Sequence, residues 1–495
     1  MRLPLTPLDF LARARRLFPD RVGVVQGDDV RHTYATFAAR CDGLAQLLLD
    51  DAGVRPGDRV AFIAGNSHQL LEGYFGVLLA GGVLVPLNIR NSAQEMAACL
   101  ADCRATALVR DPLLADPGFD GPTYDVDAWT ASSLSVAPPP VDEDAPAELF
   151  YTSGSTGRPK GAVLSHRALY LHAVHNALTN GITGDDVLLH TIPLFHVNGW
   201  GTAHFLTGLG GTHVMLPRFD AAEVLRLTER EAVTRLFLVP AMTRLLLDQP
   251  DIATRDLSSV RQVSIGGAPS TPELLAEVED AFGCEAICGY GMTESSPTLT
   301  RSLPKPGTTS TRAQRATTGL PIVGVDLRVL DGDDAEVPWD ATAVGEICVR
   351  SNHVMTEYWE QPEETAVALA GGWLRTGDLA VVDPDGYVTI VDRRKDLIVS
   401  GGENIASVEV EAALLAHPAV REASVVGMAD ERWGEVPAAF VSLRDGSAVT
   451  GTELVEWVRG RLAHFKAPKR VTVLDELPKT GTGKISKPLL RDLLP

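Results

Sequence analysis

Residues 151–161 read Tyr-Thr-Ser-Gly-Ser-Thr-Gly-Arg-Pro-Lys-Gly and continue the strand-like run AELFYT. The glycines let backbone N–H groups approach a polyphosphate, the hydroxyls donate further hydrogen bonds, and Lys160 adds positive charge. A plain Ser/Gly surface turn is the alternative. The Gly-x-x-x-x-Gly-Lys-[Ser/Thr] spacing of a Walker A loop occurs nowhere in the chain. The stretch therefore indicates a phosphate-binding loop of another kind, placed at the end of a strand.

The sequence before this loop alternates between helix-like and strand-like pieces. YATFAARCDGLAQLLLDDAGV carries apolar residues at helical spacing, and the short β-rich run RVAFIAG follows it. HQLLEGYFGVLLAGGVLVPLN then returns to helix and strand, and the pattern repeats beyond the loop, between DDVLLHTIPLFH and RLFLVPAMTRLLL. Such alternation predicts an α/β fold with largely parallel sheets.

The last quarter of the chain has a different texture. DPDG at 383–386 lies between short β runs, which is a hairpin signature, and two helix-like and two strand-like segments follow it. This predicts a compact α+β unit of about a hundred residues. We place a large domain at residues 1–392, a hinge at 393–395 and a small domain at 396–495.

Composition limits the function classes. The 495 residues are 45% hydrophobic and 22% charged, as in globular proteins, and the formal net charge is −20. That balance excludes the broad basic footprint of a nucleic-acid-binding protein. No signal peptide and no stretch of about twenty apolar residues is apparent, so we expect a cytoplasmic protein without stable membrane insertion. The sequence does not predict an oligomeric state.

Several further motifs follow the phosphate loop in order. They are Gly289-Tyr-Gly-Met-Thr-Glu294, Thr376-Gly-Asp378, Asp392-Arg-Arg-Lys-Asp396, Ser400-Gly-Gly-Glu-Asn404 and Pro478-Lys-Thr-Gly-Thr-Gly-Lys484. Together with the loop, they resemble the adenylate-forming superfamily of acyl-CoA synthetases, peptide-synthetase adenylation domains and beetle luciferases. The likeness is strongest to medium-chain acyl-CoA synthetases and spans residues 10 to 490, nearly the whole chain. It implies a large N-terminal domain of α/β-layered sheets with a β-barrel-like part, and a small mobile α+β domain.

The resemblance implies a nucleotide site for ATP. The phosphate loop would bind through Thr152, Ser153, Gly154, Ser155, Thr156, Gly157 and Lys160. The adenine side would use Gly267, Ala268, Pro269, Tyr290, Gly291 and Met292. Asp378 in a tight turn suits a vicinal diol and would hold the ribose hydroxyls, and Arg393 would make a second contact to the ribose or a phosphate. Arg394 would point elsewhere, towards the surface.

The resemblance also implies the catalytic groups. Thr293 would touch the α-phosphate, and Glu294 would ligate Mg²⁺, because a hard cation prefers oxygen ligands. Lys484 would bridge the attacking carboxylate and the α-phosphate, where negative charge builds up. His196 would border the carboxylate.

The acyl group and the thiol acceptor have their own implied residues. His196, Val197, Trp200 and Gly291 would form the acyl pocket, and Gly401, Gly402, Lys466 and Lys469 would bind CoA. Lys395 occupies the hinge position. Glu357 departs from the pattern, since relatives commonly carry Gly before Tyr-Trp, and it would change acceptor handling if this loop borders the thiol entrance.

These features predict an AMP-forming acyl-CoA synthetase that uses ATP, Mg²⁺ and CoA. One alternative is an acyl-AMP ligase that loads the phosphopantetheine of an acyl carrier protein. Another is a nucleotide-binding homologue without turnover. The identity of the carboxylic acid is not readable from the sequence, because pocket walls come from distant segments.

Overall fold

The structure is a computed structural model, and it describes residues 3–153, 159–401, 403–479 and 485–494. The chain divides into two compact units. The first unit contains residues 1–326 and 350–374, and the second contains residues 327–349 and 375–495. The predicted hinge at 393–395 falls inside the second unit, in a turn where Asp396 N donates to Arg393 O. Hinge motion stays a prediction.

A nine-stranded sheet dominates the first unit. In spatial order its strands are Leu320–Pro321, Thr298–Arg301, Glu285–Gly291, Gln262–Gly266, Arg235–Leu238, Val187–His190, Thr212–Met215, Val22–Gln26 and Val30–Thr33. The six strands from Glu285–Gly291 to Val22–Gln26 run parallel. One face carries an apolar core of side chains such as Leu236, Ile265 and Leu275. The predicted α/β alternation is therefore confirmed.

A seven-stranded sheet completes the first unit. Its spatial order is Glu357–Tyr358, Pro159–Ser165, Pro146–Ser153, Val83–Pro86, Arg59–Ile63, Ala107–Arg110 and Thr123–Asp125. Residues 146–153 and 159–165 form an antiparallel hairpin whose last described pair is Ser153 opposite Pro159. The predicted phosphate loop is thus the connection of a hairpin, whereas a Walker A loop leads from a strand into a helix.

Some helices of the first unit begin at a residue whose side chain caps them. Ser92 and Glu95 form a reciprocal capping box at the start of Ala93–Asp102, and Thr33 caps Tyr34–Asp50. The remaining right-handed α-helices of this unit are Leu8–Leu17, His68–Leu79, His166–Asn180, Thr202–Leu209, Ala221–Arg230, Pro240–Leu247, Pro272–Phe282, Arg312–Arg315 and Pro362–Ala368. Short 3-10 turns occupy Ile252–Thr254, Thr293–Ser295 and Ala370–Gly372.

The second unit is built mainly on two sheets. Val325–Leu330, Gly345–Ser351, Leu374–Val382 and Val388–Arg393 form a four-stranded sheet. The predicted hairpin at residues 383–386 joins its last two strands. A five-stranded sheet contains Glu403–Ile405, Ile398–Ser400, Gly434–Leu443, Val420–Asp430 and Arg470–Val473. This sheet packs against the helices Ser407–Leu415 and Gly451–Arg459. The unit also contains the helix Lys487–Arg491 and the 3-10 turn His464–Lys466.

Among the described residues, every helix is too short or too polar to cross a lipid bilayer.

Candidate functional site

Three of the predicted site segments leave the carboxyl ends of parallel strands in the nine-stranded sheet. Residues 191–201 follow Val187–His190, residues 267–269 follow Gln262–Gly266, and residues 292–294 follow Glu285–Gly291. The carboxyl ends of parallel strands share one edge of a sheet, and open α/β sheets bind ligands outside that edge. The fold thus gathers the predicted acyl, adenine and metal segments along one edge.

The predicted acyl segment contains a left-handed turn. Five consecutive residues have positive φ: Val197 (43°), Asn198 (44°), Gly199 (60°), Trp200 (66°) and Gly201 (84°). An L-residue in this region costs about 1–2 kcal/mol, and more is expected for a β-branched residue such as Val197. Neighbouring contacts must therefore hold the turn in place, and strain of this kind concentrates at functional sites.

Buried polar groups hold the left-handed turn. Asn198 Nδ2 donates to Glu148 Oε2 at 3.0 Å, and the Asn198 side-chain oxygen accepts from Gly201 N at 2.6 Å. Glu148 is fully buried in the strand Pro146–Ser153. His204 Nε2 lies 3.0 Å from Glu148 Oε1, although their alignment is not that of a hydrogen bond. The turn is thereby tied to the strand that enters the phosphate loop.

The turn places Trp200 against the nine-stranded sheet. Its ring meets Phe237 edge to face, with centroids 6.0 Å apart. It also covers Gly266, where an added Cβ would lie 3.0 Å from Trp200 Cη2. His196 and Trp200 are half-buried and Val197 is buried. The structure thus makes Trp200 part of an apolar wall beside the carboxyl edge.

The predicted metal ligand lies next to the predicted phosphate lysine. Glu294 is 7% exposed, and its Oε1 accepts a 2.7 Å hydrogen bond from the Tyr358 hydroxyl. The Lys160 Nζ lies 5.3 Å from the centre of the Tyr358 ring and forms an ion pair with Glu364. Burial raises the pKa of Tyr358, and the Glu294 carboxylate raises it further, so this hydroxyl stays a donor. A carboxylate held in this way is the kind of oxygen donor that Mg²⁺ prefers.

The remaining residues of the nucleotide segments in the first unit are positioned by strand ends. Tyr290 and Gly291 end their strand, Met292 N donates to Pro297 O, and Thr293 is buried. Gly267, Ala268 and Pro269 are exposed beyond the neighbouring strand. The Thr152 hydroxyl lies 3.4 Å from Lys160 O across the hairpin, and Ser153 ends that strand. Gly154, Ser155, Thr156 and Gly157 lie outside the described residues.

The predicted ribose residues face each other on a hairpin of the second unit. Asp378 and Arg393 are direct partners in the strand register, and Arg393 Nε lies 3.1 Å from Asp378 Oδ1. Asp378 is buried, whereas the Arg393 side chain is 56% exposed. Arg394 is also exposed and lies 3.0 Å from Glu346 instead, consistent with the separate role expected for it.

The predicted CoA residues lie in differing environments. Gly401 has φ +60°, and an added Cβ would lie 2.6 Å from the Trp433 ring, so a side chain is excluded there by Trp433. Lys466 contacts both carboxylate oxygens of Glu409, at 2.7 and 2.8 Å, so an added anion must compete with that pair. Lys469 is exposed, as is Lys395 in the turn predicted to be a hinge. Gly402 and Lys484 lie outside the described residues.

Two site residues were missed by the sequence reasoning. Tyr358 follows Glu357, and strand alternation turns Tyr358 inwards while Glu357 stays exposed. Glu357 is exposed, and its effect on acceptor handling stays a prediction. Arg301 is a buried arginine on the strand next to Gly289. An arginine at the end of the strand-like run Thr-Leu-Thr-Arg was a sequence signal for a buried charge. Only the strand register shows which residues it faces.

Comparisons with known proteins place the chain in a family. A model described as AMP-binding enzyme matches residues 11–359, and one described as AMP-binding enzyme C-terminal domain matches residues 409–484. A feruloyl-CoA synthase of Amycolatopsis sp is 40% identical over 484 residues, which are 96% of each chain. A fatty acid–[acyl-carrier-protein] ligase of Streptomyces coeruleorubidus is 38% identical, covering 90% of this chain and 88% of its own.

The fold also matches a solved structure over nearly the whole chain. An o-succinylbenzoate CoA synthetase from Bacillus subtilis, solved with its acyl-adenylate intermediate, matches with a TM-score of 0.89 at 32% identity. The match covers 99% of this chain and 98% of that one. The chain therefore belongs to the family of AMP-binding, adenylate-forming enzymes.

Proposed function

We propose that this protein is an AMP-forming acid–thiol ligase that makes acyl-CoA. In the first step, a carboxylate oxygen of the acid attacks the α-phosphorus of ATP, the bond to the bridging oxygen breaks, and pyrophosphate leaves. In the second step, the CoA sulfur attacks the acyl carbon, the bond to the AMP oxygen breaks, and the thiol proton passes to solvent. Thioester and AMP are the products.

One observation carries the proposal. The segments at 267–269 and 292–294 leave adjacent strands of a parallel sheet, and the segment at 191–201 leaves the same edge with one strand, Arg235–Leu238, in between. Adenine, acid and metal-bound phosphate would then lie side by side, as transfer of an acyl group to AMP requires. The relatives named as CoA ligases support the same reaction.

The nucleotide would be held by groups of different kinds. We assign the polyphosphate to the loop from Thr152 to Lys160, the adenine to Tyr290 and residues 267–269, and the ribose to Asp378 and Arg393. Lys484 would stabilise the charge that develops between the carboxylate and the α-phosphate.

Glu294 would hold Mg²⁺, with Thr293 beside the α-phosphate. The ion would neutralise phosphate charge during transfer. The Tyr358 hydrogen bond fixes the Glu294 carboxylate, so this chain's own contribution is a preoriented oxygen ligand.

The second candidate acceptor is an acyl carrier protein. It is favoured by the 38% identical relative named as an acyl-carrier-protein ligase. The ion pair between Lys466 and Glu409 also favours it, because among the described residues it leaves Lys469 as the lysine of the predicted CoA pair that is available to an anion. We keep CoA as the first assignment because Gly401 and Gly402 follow the pattern of CoA-using members.

The direct test is thioester formation. Purified protein is incubated with ATP, Mg²⁺, a panel of short, medium-chain, aromatic and polycyclic acids, and either CoA or a phosphopantetheinylated carrier protein. We expect pyrophosphate, AMP and acyl-CoA in equal amounts for at least one acid. Thioester on the carrier protein alone would select the second candidate, and AMP release without any thioester would contradict both.

A substitution separates the two steps. Lys484→Ala should lower acid-dependent pyrophosphate release by about 10²–10³-fold, as removal of one charge-stabilising group does. It should still convert synthetic acyl-AMP and CoA to thioester. Lys479→Ala is the matched control, because Lys479 lies in the same segment but pairs with Glu422. Equal loss in both half-reactions would contradict the role of Lys484.

A further inference from the structure

Arg301 is buried without a carboxylate partner among the residues that the structure describes. The residue is 3% exposed at the end of the strand Thr298–Arg301. Its Nε and Nη2 make no hydrogen bond, and no carboxylate among the described residues pairs with it. Isolated buried charges are costly, and proteins almost always pair them. An unpaired guanidinium in this position therefore points to a partner that arrives with a ligand.

The strand register shows what Arg301 faces. Arg301 lies opposite Gly289, and Gly289 lies opposite Gly266. Phe237 lies opposite Ser264, two residues before Gly266, so all these positions share one face of the sheet. This is the face that Trp200 covers, whereas the apolar core of Leu236 and Ile265 lies on the other.

Two glycines let the larger side chains lie directly against this face. A Cβ at Gly289 would lie 2.9 Å from Arg301 Nη1, and one at Gly266 would lie 3.0 Å from Trp200. The Arg301 guanidinium carbon is 5.3 Å from the centre of the Phe237 ring. Trp200, Phe237 and Arg301 thus form a continuous wall on a glycine floor, which we call the Arg301 wall. Trp200 is also the residue predicted to border the acyl group.

The side of the Arg301 guanidinium that carries Nε and Nη2 recognises a specific kind of oxygen acceptor. Nε and Nη2 form one side of the guanidinium fork, which donates two parallel hydrogen bonds to a carboxylate or donates to single oxygens. Burial lowers the pKa of Arg301 to about 10, which still leaves the group charged at neutral pH. Both donors are covered by protein atoms here, so a substrate has to draw the guanidinium away from the Phe237 ring to meet it.

We propose that Arg301 is a specificity residue that selects acids with an accepting oxygen at the end remote from the reacting carboxylate. The aromatic side chains of the Arg301 wall favour a planar ring between these two ends. A second carboxylate and a ring hydroxyl are two forms of the same acceptor chemistry. This inference rests on the proposed function and names the substrate class of that site.

The test uses acids that differ only at the remote end. They are benzoic and 3-phenylpropenoic acid, each unsubstituted, 4-hydroxylated or 4-carboxylated. The rate of acid-dependent pyrophosphate release gives kcat/KM for each acid. The wild-type protein should prefer at least one oxygenated acid of a set over its unsubstituted parent by about tenfold or more. Arg301→Met should remove that preference and improve use of the parent acid. Arg301→Lys should keep part of it, more for the carboxylate than for the hydroxyl.

A second buried arginine provides the control. Arg235 is 8% exposed on the same face of the same sheet, but it pairs with Asp186 and Gln262. Arg235→Met should lower the thermal midpoint and leave the ratio of kcat/KM between acids unchanged. Arg301→Met should change that ratio without lowering the midpoint, because it removes an unpaired charge.

The outcomes are distinguishable. Equal use of substituted and unsubstituted acids by the wild type, or the same preference in Arg301→Met, overturns the inference while the enzyme remains active. Absence of pyrophosphate release with every acid, including the broader panel, overturns the proposed function itself.

Discussion

The two ends of the nine-stranded sheet are built differently. At the amino ends of the parallel strands, the buried carboxylate of Asp186 lies 3.1 Å from Arg235 and 2.7 Å from Arg261, and it also accepts from Thr234. At the carboxyl ends the backbone runs through five left-handed residues, and Arg301 has no carboxylate partner among the described residues. Charges at the first end are paired within the protein, whereas we propose that Arg301 at the second end meets a ligand. Stability and binding are thus assigned to opposite ends of the same strands.

The largest expected effect tests the amino end. Asp186→Ala should lower the free energy of unfolding by about 3–5 kcal/mol, because it leaves the buried Arg235 without its carboxylate. Denaturant unfolding measures this, and kcat/KM below the transition should be unchanged. Asp185→Ala is the control, since that neighbour is 87% exposed and should change stability by less than about 1 kcal/mol. Similar losses in both variants would break the comparison.

Acid should weaken the fold through buried histidines near the carboxyl end. Burial lowers the pKa of both His190 and His353 to about 3, so the folded state keeps them neutral. The unfolded chain protonates them below about pH 6.5, and stability should fall by about 1.4 kcal/mol per pH unit for each as pH decreases from there. Above pH 7.5 these two groups should contribute no pH dependence. Denaturant unfolding from pH 8 to 5 measures the slope, and a flat profile contradicts it.

A substitution in the left-handed turn tests the carboxyl end directly. Asn198→Ala removes the bonds to Glu148 and Gly201 and places alanine at positive φ, which should cost about 1–3 kcal/mol. Because the turn carries Trp200, KM for the acid should rise more than KM for ATP. Asn198→Gly, which tolerates the backbone conformation, should recover part of the stability. An equal loss in both variants would show that strain plays no part.

The smallest expected effect concerns the glycine floor. Gly266→Ala should shift Trp200 by a few tenths of an ångström and change KM for the acid severalfold, with stability changed by less than about 1 kcal/mol. Gly332→Ala is the control, because nothing lies within 4 Å of its added Cβ. Steady-state kinetics with one accepted acid measures both, and an unchanged KM in Gly266→Ala would place the acyl group elsewhere.

Local signals in the sequence predicted the elements well. Apolar residues at helical spacing marked the helix Tyr34–Asp50, which Thr33 caps in the structure, and residues 383–386 marked the hairpin of the second unit. Both depend on interactions within a few residues, which a single sequence contains. The motifs named Glu294 and Trp200 as candidates, and the structure then placed both near the carboxyl edge of the sheet.

Contacts between distant segments were beyond the sequence. The face shared by Arg301, Gly289 and Gly266 depends on the register of three strands. The ion pair between Lys466 and Glu409 joins residues 57 positions apart. Because of this pair, CoA would have to compete with Glu409 for a lysine that was predicted to bind it. The compact units also interleave, since residues 327–349 join the later part of the chain. Periodicity and composition contain no information about such pairings.

The hydrogen bond between Glu148 and Asn198 has a thermodynamic consequence. Glu148 belongs to the strand that ends at Ser153, where the phosphate loop begins, and Asn198 belongs to the turn that carries Trp200. A shift of that strand when nucleotide binds therefore acts on the wall that receives the acid. By linkage, the acid must act on nucleotide affinity by the same factor. The two substrates are thus expected to bind synergistically, with Glu148→Gln reducing the synergy more than either separate affinity.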